Sequence, residues 1–528
     1  MCKKNQILLL AILLLFLAQS AVLSQDQKAD RPVQAITLKE CIANALANNL
    51  DLSIEAFNPV INEALISESK EQYLPEFKMN YFKQNQTILG GWGVEGTSYP
   101  FKMDSYSFDL TQRVVTGGSA TLSFSNSMTD TGRAYQVINP SYTSLFQLTL
   151  TQALLKGFGP KINRIASLRA IVTRDISIAE LKSKLIQIVY DVEGAYWNLY
   201  SAIENMKVQE NSLEESLAIL KRNQEAVRIG AKSAIDVLSS EAEVAQYEDS
   251  LVSARLAVEQ SEAGLKKILN LTSEAPDSRL FFIPSDRPVI EKKDIAYEEA
   301  LKVALEQRPE MTQSEKELER NANDISYYRN QLLPQLDMTF STWSPGQSGI
   351  KYIYLNNNPF TGIIVNKIEG SRMDALKEAL KRTYKNWSVN LNLTLPLANF
   401  FSRSSLARAK LEQEQSVQRM EKQKQTIAYE VAGAIQNLQN AERKIKSSAA
   451  SRELQEKRLA AEMQRYQLGL GSIEWLLSYQ RSLTSAKTSE IQAQIDYKIA
   501  VADLERVMGT SLRTKGLKFR DYEFWKNP

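Results

Sequence analysis

The chain has no histidine. That removes the commonest general base and the commonest metal ligand. Its only cysteines are Cys2 and Cys41. Cys2 falls in an N-terminal stretch with the character of a secretory leader, so one thiol remains and no internal disulfide forms. Long hydrophobic runs are also missing. The single apolar run, Ile7–Leu17, is short against the roughly 20 residues a spanning helix needs. Lys3 and Lys4 precede it and Val22-Leu23-Ser24 follow it. This is the layout of a signal peptide over residues 1–24, with a single membrane anchor as the alternative. No cysteine follows in a lipidation context, and no other segment is a candidate spanning helix. If the chain enters a membrane, strands must carry it there. Excess charge is lacking too: 64 Lys and Arg stand against 61 Asp and Glu. Nucleic-acid binding would need a clearly basic face.

What is present is helical periodicity, interrupted once by Arg465-Tyr466-Gln467-Leu468-Gly469-Leu470-Gly471-Ser472. Glycine ends helices cheaply, and the serine is a suitable N-cap for the next one. The segment predicts the tip of a long helical hairpin between about Arg403 and Met508. Arg228-Ile229-Gly230-Ala231-Lys232-Ser233 is a related turn. Before it, Leu181, Leu185, Ile188, Val192, Ala195, Leu199, Ala202 and Met206 alternate steps of four and three, a heptad stripe. A second apolar set (Ile186, Val189, Tyr196, Tyr200, Ile203) lies beside it. Two stripes suit a helix with neighbours on both sides. From Lys161 to Ile229 such a helix is roughly 100 Å long.

Other stretches have period two. Phe77, Met79 and Tyr81 alternate with Lys78, Asn80 and Phe82, and the segments 107–115, 119–127, 144–154, 335–343 and 386–397 behave alike. One face is apolar or aromatic and the other is Ser, Thr, Gln or Asn. Barrel strands and a soluble antiparallel sheet both alternate in this way. Aromatics at Phe77, Tyr81, Trp343 and Trp387 favour a membrane interface. Residues 371–384 read as a short helix with Leu376 and Leu380 on one face.

The chain also repeats itself. Leu74-Pro75 and Leu333-Pro334 are 259 residues apart. Past the strands the offset is 239, relating Gly230 to Gly469, Ser233 to Ser472, and Tyr190, Val192 and Gly194-Ala195 to Tyr429, Val431 and Gly433-Ala434. The helical hairpins therefore keep their length while the strand regions differ by 20 residues. Helices in a closed tube must hold register, and loops at a barrel rim need not. The expected division is a signal peptide (1–24), a first repeat (25–271, strands about 76–155, hairpin 161–270), a linker (272–294), a second repeat (295–512, strands about 335–397, hairpin 403–509) and a tail (513–528).

This organisation resembles the TolC-like outer-membrane efflux protein family. The residues that carry the resemblance are Arg465-Tyr466, Gly469 and Ser472, Leu476 with Gln480, Ala486, Tyr497, Ala500 and Leu504. The first half adds Leu148–Gln152, Lys156–Gly159 and Asn163-Arg164. The resemblance implies a mainly α fold with β: a trimeric outer-membrane β-barrel continued by a long α-helical coiled-coil periplasmic tunnel, with two internal structural repeats per chain. It implies a homotrimer embedded in outer-membrane lipid. The tunnel tip docks a periplasmic membrane-fusion (adaptor) protein, which connects to an inner-membrane pump of RND, ABC or MFS type. It places the aperture and adaptor docking at Gly230, Ser233, Asp236, Tyr466, Gly469 and Ser472, with Tyr466 and Asp236 in a tip latch. Asp236 equally suits the plainer role of charging the first turn of its helix. Gly471 and Trp475 depart from the family pattern, and a carboxylate ring at the tip is not implied. The strand pair 107–127 exceeds a simple four-strand contribution, as extracellular elaboration or as added wall.

The expected function is a passive export duct of a tripartite efflux or type I secretion system. The alternative is a secreted coiled-coil scaffold or adaptor without a pore. No P-loop, nucleophile elbow or metal-spaced cluster is present. No catalytic residue, cofactor, metal site or nucleic-acid partner is expected.

Overall fold

The computed structural model describes residues 32–89, 98–132, 136–271, 280–395 and 400–519. The leader expected at 1–24 and the end of the tail lie outside the described residues. The chain divides into two compact units. One comprises the chain up to Ser53 with Lys184–Ala304 and Tyr429–Lys518; the other comprises Ile54–Ser183 with Leu305–Ala428 and the residues after Lys518. No helix among the described residues is long and apolar enough to cross a membrane.

The strands are β1 (Val33–Ile36), β2 (Glu76–Leu89), β3 (Ser98–Val114), β4 (Gly118–Thr131), β5 (Ile138–Ala153), β6 (Phe281–Pro284), β7 (Gln335–Tyr354), β8 (Ile364–Ile368) and β9 (Asn386–Thr394). Seven of them form one antiparallel sheet in the order β2-β3-β4-β5-β7, with β8 and β9 both on the far side of β7. The register lines up like residues. Phe77, Leu110, Leu122, Leu148, Thr342 and Trp387 share one row, and Met79, Phe108, Phe124, Phe146 and Ser344 the next. The opposite face carries Thr111, Thr121, Thr149, Ser341 and Ser388 in register. Trp343 sits on this second face, paired with Gln147, and so parts from Phe77, Tyr81 and Trp387. Strand β7 runs eleven residues beyond the Trp343 expected as its end. The pair expected at 107–127 belongs to a longer hairpin, β3–β4, hydrogen-bonded on both sides. Much of the 20-residue difference between repeats is thus sheet and not loop.

The short helix is Arg372–Leu380, closed by a reciprocal Ser371–Asp374 capping box. Its buried residues are Ala375 and Ala379, while Leu380 is exposed. The alanines, and not the expected leucines, therefore set its packing face. It lies against β5 and β7.

In the other unit, β1 and β6 pair in parallel, so the expected linker contributes a strand. The long helices are Ile165–Arg228, Ala234–Ile268, Phe400–Gln467 and Ile473–Val507. On the first, Leu185, Ile188, Val192 and Leu199 are buried, and so are Ile186, Val189, Tyr196 and Ile203 from the adjacent set. Both stripes therefore find partners within one chain. Lys515, in the tail, reaches Glu193 at 2.8 Å and Glu505 at 3.6 Å, and Lys293 reaches Glu505 at 2.6 Å.

Candidate functional site

The two hairpin turns are built alike. The first long helix ends with Gly230 N–H donating to Val227 O at 2.9 Å and Ala231 N–H to Ala226 O at 2.8 Å. At the second turn, Gly469 N–H donates to Tyr466 O at 3.2 Å and Leu470 N–H to Arg465 O at 2.9 Å. Both are Schellman ends, which need a left-handed residue. Gly230 has φ +76° and Gly469 φ +75°. Each return helix is then capped by serine. Ser233 Oγ accepts from Ile235 N–H and Ser472 Oγ from Glu474 N–H. Asp236 lies in the first turn of its helix.

Beneath the turns a core forms from Ile219, Tyr466, Ile473, Leu476 and Leu477. Burying one such leucine contributes about 1.5–3 kcal/mol. A polar chain runs through this core. The Tyr466 hydroxyl donates to Asn223 Oδ1 at 2.7 Å. Asn223 Nδ2 donates to Ser240 Oγ at 2.8 Å, and Ser240 Oγ donates to the carbonyl of Asp236 at 2.8 Å. Asn223 and Ser240 are wholly or almost wholly buried. The chain ties together three helices, and it brings Tyr466 and Asp236 into one cluster. Asp236 joins through its backbone carbonyl, not through its carboxylate.

Away from the tip the same seam stays polar. Gln480 Nε2 donates to Ser216 Oγ at 3.0 Å, and Ser212 and Thr484 hydroxyls lie 2.8 Å apart. Buried Glu243 pairs with Arg481, and burial pushes its carboxyl up despite that partner. Lys232 Nζ sits 3.0 Å from the centre of the Tyr466 ring. Burial holds the Lys232 ammonium below its usual range and raises the Tyr466 phenol, with Asp236 adding to the second effect. Lys232, Tyr466 and Asn223 line a cleft of about 550 Å³ with Ala226, Ala231 and Gly469.

Gly471 is explained by close approach. A Cβ there would lie 2.8 Å from the Tyr466 nitrogen. The outer surface of the turns is apolar: Ile229, Ile235, Leu238, Leu468, Leu470 and Trp475 are all more than half exposed. Among the described residues no group of three or more His, Cys, Asp or Glu is placed to hold a metal ion.

The profile of the outer membrane efflux protein family matches residues 41–271 and 300–510. The chain belongs to that family. The match takes in both repeats and both turns. This outer membrane efflux protein is a channel of the outer membrane that extends into the periplasm. Among solved structures it is similar to the CmeC outer membrane channel of Campylobacter jejuni, with 17% identity over 90% of this chain and 86% of that one, TM-score 0.61. The MtrE outer membrane channel of Neisseria gonorrhoeae is 19% identical over 90% of this chain and 89% of that one, TM-score 0.60. A membrane protein of Pseudomonas aeruginosa is 17% identical over 91% and 92%, TM-score 0.63. At such identities the likeness is one of fold. No curated protein matches by sequence.

Nothing in the internal repeat singles out Asn223 and Ser240. Their positions one repeat on hold Glu462 and Tyr479, so the internal comparison does not flag them. The available signal was a polar residue at a buried heptad position: Ser212, Ser216, Ile219 and Asn223 step by four, three and four.

Proposed function

We propose that three copies of this chain form a passive duct whose periplasmic end is closed at the hairpin tips. The tips dock a periplasmic adaptor that links the duct to an inner-membrane pump. The duct itself performs no chemistry, and the pump supplies both drive and cargo choice. The observation that carries this reading is the buried chain Tyr466–Asn223–Ser240 directly beneath two exposed apolar turns. A closure needs a bond that is buried yet breakable, and a single polar chain in an apolar core meets that need. Exposed Ile229, Leu238, Leu468 and Trp475 supply the apolar centre a docking partner requires. Family membership favours the duct over a pore-free scaffold.

Single-channel conductance in planar bilayers tests the closure. Tyr466→Phe with Asn223→Ala is expected to raise the resting conductance several-fold. Asp236→Ala leaves the backbone carbonyl in place and is expected to change it little. Unchanged conductance in the double variant would remove the latch and leave the duct standing. Crosslinking of the detergent-solubilised protein should give a ladder that stops at three copies.

A further inference from the structure

The sheet has two open edges among the described residues. Strand β2 pairs only with β3, and β9 pairs only with β7. An open edge is a template for another chain. The sheet has six strands of nine residues or more, β2, β3, β4, β5, β7 and β9, each antiparallel to the next, with the five-residue β8 beside β9 on the same side of β7. Six is even, so β2 and β9 run in opposite directions. The β9 edge of one copy can therefore take the β2 edge of the next in the same antiparallel sense, head to tail around a ring.

We infer that hairpin β3–β4 is part of the membrane wall, so that each copy supplies six strands to the shared barrel. This rests on the three-copy reading above and adds a strand count to it: eighteen in all. Three observations carry it. The hairpin is paired over fourteen residues to β2 on one side and twelve to β5 on the other. Strands added outside a wall would not be laddered on both edges. Two apolar rows run through it, at Leu110-Leu122 and Phe108-Phe124, with Phe77, Phe108 and Phe124 stacked ring to ring at 6.1 and 6.2 Å. Its other face carries Ser107, Thr121, Ser123 and Ser125, matching Thr149 and Ser341 on the neighbouring strands.

The consequence is width. Strands about 4.8 Å apart and tilted about 40° give a backbone diameter of roughly 36 Å for eighteen, against roughly 24 Å for twelve. The inward face carries Ser107, Thr121, Ser123, Ser125, Thr149 and Ser341, polar side chains that border water. An α-helix with its side chains is only about 10–12 Å across. The barrel thus admits helical polypeptide as readily as small solutes, and all sieving falls to the tips.

Single-particle microscopy of the purified full-length protein counts copies and wall strands separately. Three copies with six strands each is the expected result. Three copies with four each, and residues 98–131 outside the wall, overturns the inference and spares the trimer. Six strands each in another copy number supports the inference and overturns the trimer. A second measurement uses single cysteines in a Cys41→Ser background reconstituted in liposomes. A membrane-impermeant maleimide should modify Ser107→Cys and Ser125→Cys but not Phe108→Cys and Phe124→Cys. Equal modification of all four would place the hairpin in water and sink the idea.

Discussion

The hydroxyl of Tyr466 donates to Oδ1 of Asn223, 243 residues earlier, at 2.7 Å inside an apolar core. The bond joins the ends of the two long helices just before their turns. Removing either partner strands the other: Tyr466→Phe leaves a buried amide oxygen unpaired, and Asn223→Ala leaves a buried hydroxyl. Each should cost about 1–3 kcal/mol. The double variant should cost less than the sum, with a coupling of about 0.5–3 kcal/mol. Thermal unfolding of the four proteins in detergent reads this directly. Strict additivity would mean that the bond contributes nothing.

The glycines of the turns separate two kinds of strain. Gly230→Ala and Gly469→Ala force a methyl-bearing residue into left-handed backbone, which costs about 1–2 kcal/mol each. Nothing lies near the added methyl, so the fold of the tip should survive. In Gly471→Ala the methyl meets the Tyr466 backbone. That displaces Tyr466 itself, so only this variant should also raise resting conductance. Equal conductance in all three would show that the contact between Gly471 and Tyr466 does not bear on closure.

The turns, the two-fold repeat and the alternating strands could be read from sequence because each is local or recurs at a fixed offset. The 239-residue spacing relates the two glycine turns, and the structure closes both as Schellman ends. Contacts without periodicity were hidden. Strand β7 continues through Ser344-Pro345-Gly346, residues that ordinarily signal a turn, because its neighbour β5 holds it in register. Asn223 and Ser240 are unremarkable polar residues until folding places them together. The tail has no place in the sequence pattern, because the shorter ion pair of Lys515 is with Glu193, more than 300 residues away in the chain.

That tail contact makes a prediction. Lys515→Met leaves Glu193 and Glu505 close together and mostly buried, with Lys293 paired to Glu505 and Lys498 near Glu193 as the remaining cations. Breaking a buried pair in this way costs about 3–5 kcal/mol, and the partial exposure of Lys515 sets the expectation at about 3. Burial already holds the Glu193 carboxyl above the usual range, with Lys515 opposing. A carboxyl raised in the fold contributes stability below its unfolded value and loses it as pH rises through the folded one. Neutral Glu193 needs no cation. The variant should therefore be less destabilised at pH 5 than at pH 8, and an equal deficit at both would contradict this.

Cys41 is fully buried, and burial pushes its thiol up to about 12. The thiolate is the reactive form. Maleimide should label the folded protein slowly at pH 8 and little faster at pH 10, but rapidly in denaturant. Because the folded value lies above the unfolded value of about 8.5, the thiol's contribution to stability is intact below that pH and declines between it and the folded value. Fast labelling of the native protein would show that the helix Leu38–Asn48 opens readily.

The helix Arg372–Leu380 offers the last test, because one glycine decides whether it can dock. A Cβ on Gly346 would lie 2.1 Å from the Ala375 carbonyl oxygen, a backbone atom that cannot swing aside. Beneath the helix the apolar face of the sheet turns polar. Asn126, Ser144 and Ser344 are buried there, and Asn126 Nδ2 donates to Ser144 Oγ. Lifting the helix would expose them. Gly346→Ala should therefore free the segment 355–385 for cleavage by trypsin added outside intact vesicles, at Arg372, Lys377 or Lys381. Arg372→Ala removes an ion pair with Asp104 at 3.3 Å and stacking on Tyr106 and Tyr142. Those partners are partly exposed, and the pair contributes about 1 kcal/mol or less. Its effect on cleavage at the remaining sites should be the smaller of the two. If Arg372→Ala proves the more sensitive, the helix is held by charge, and the alanine face at Ala375 and Ala379 is not its anchor.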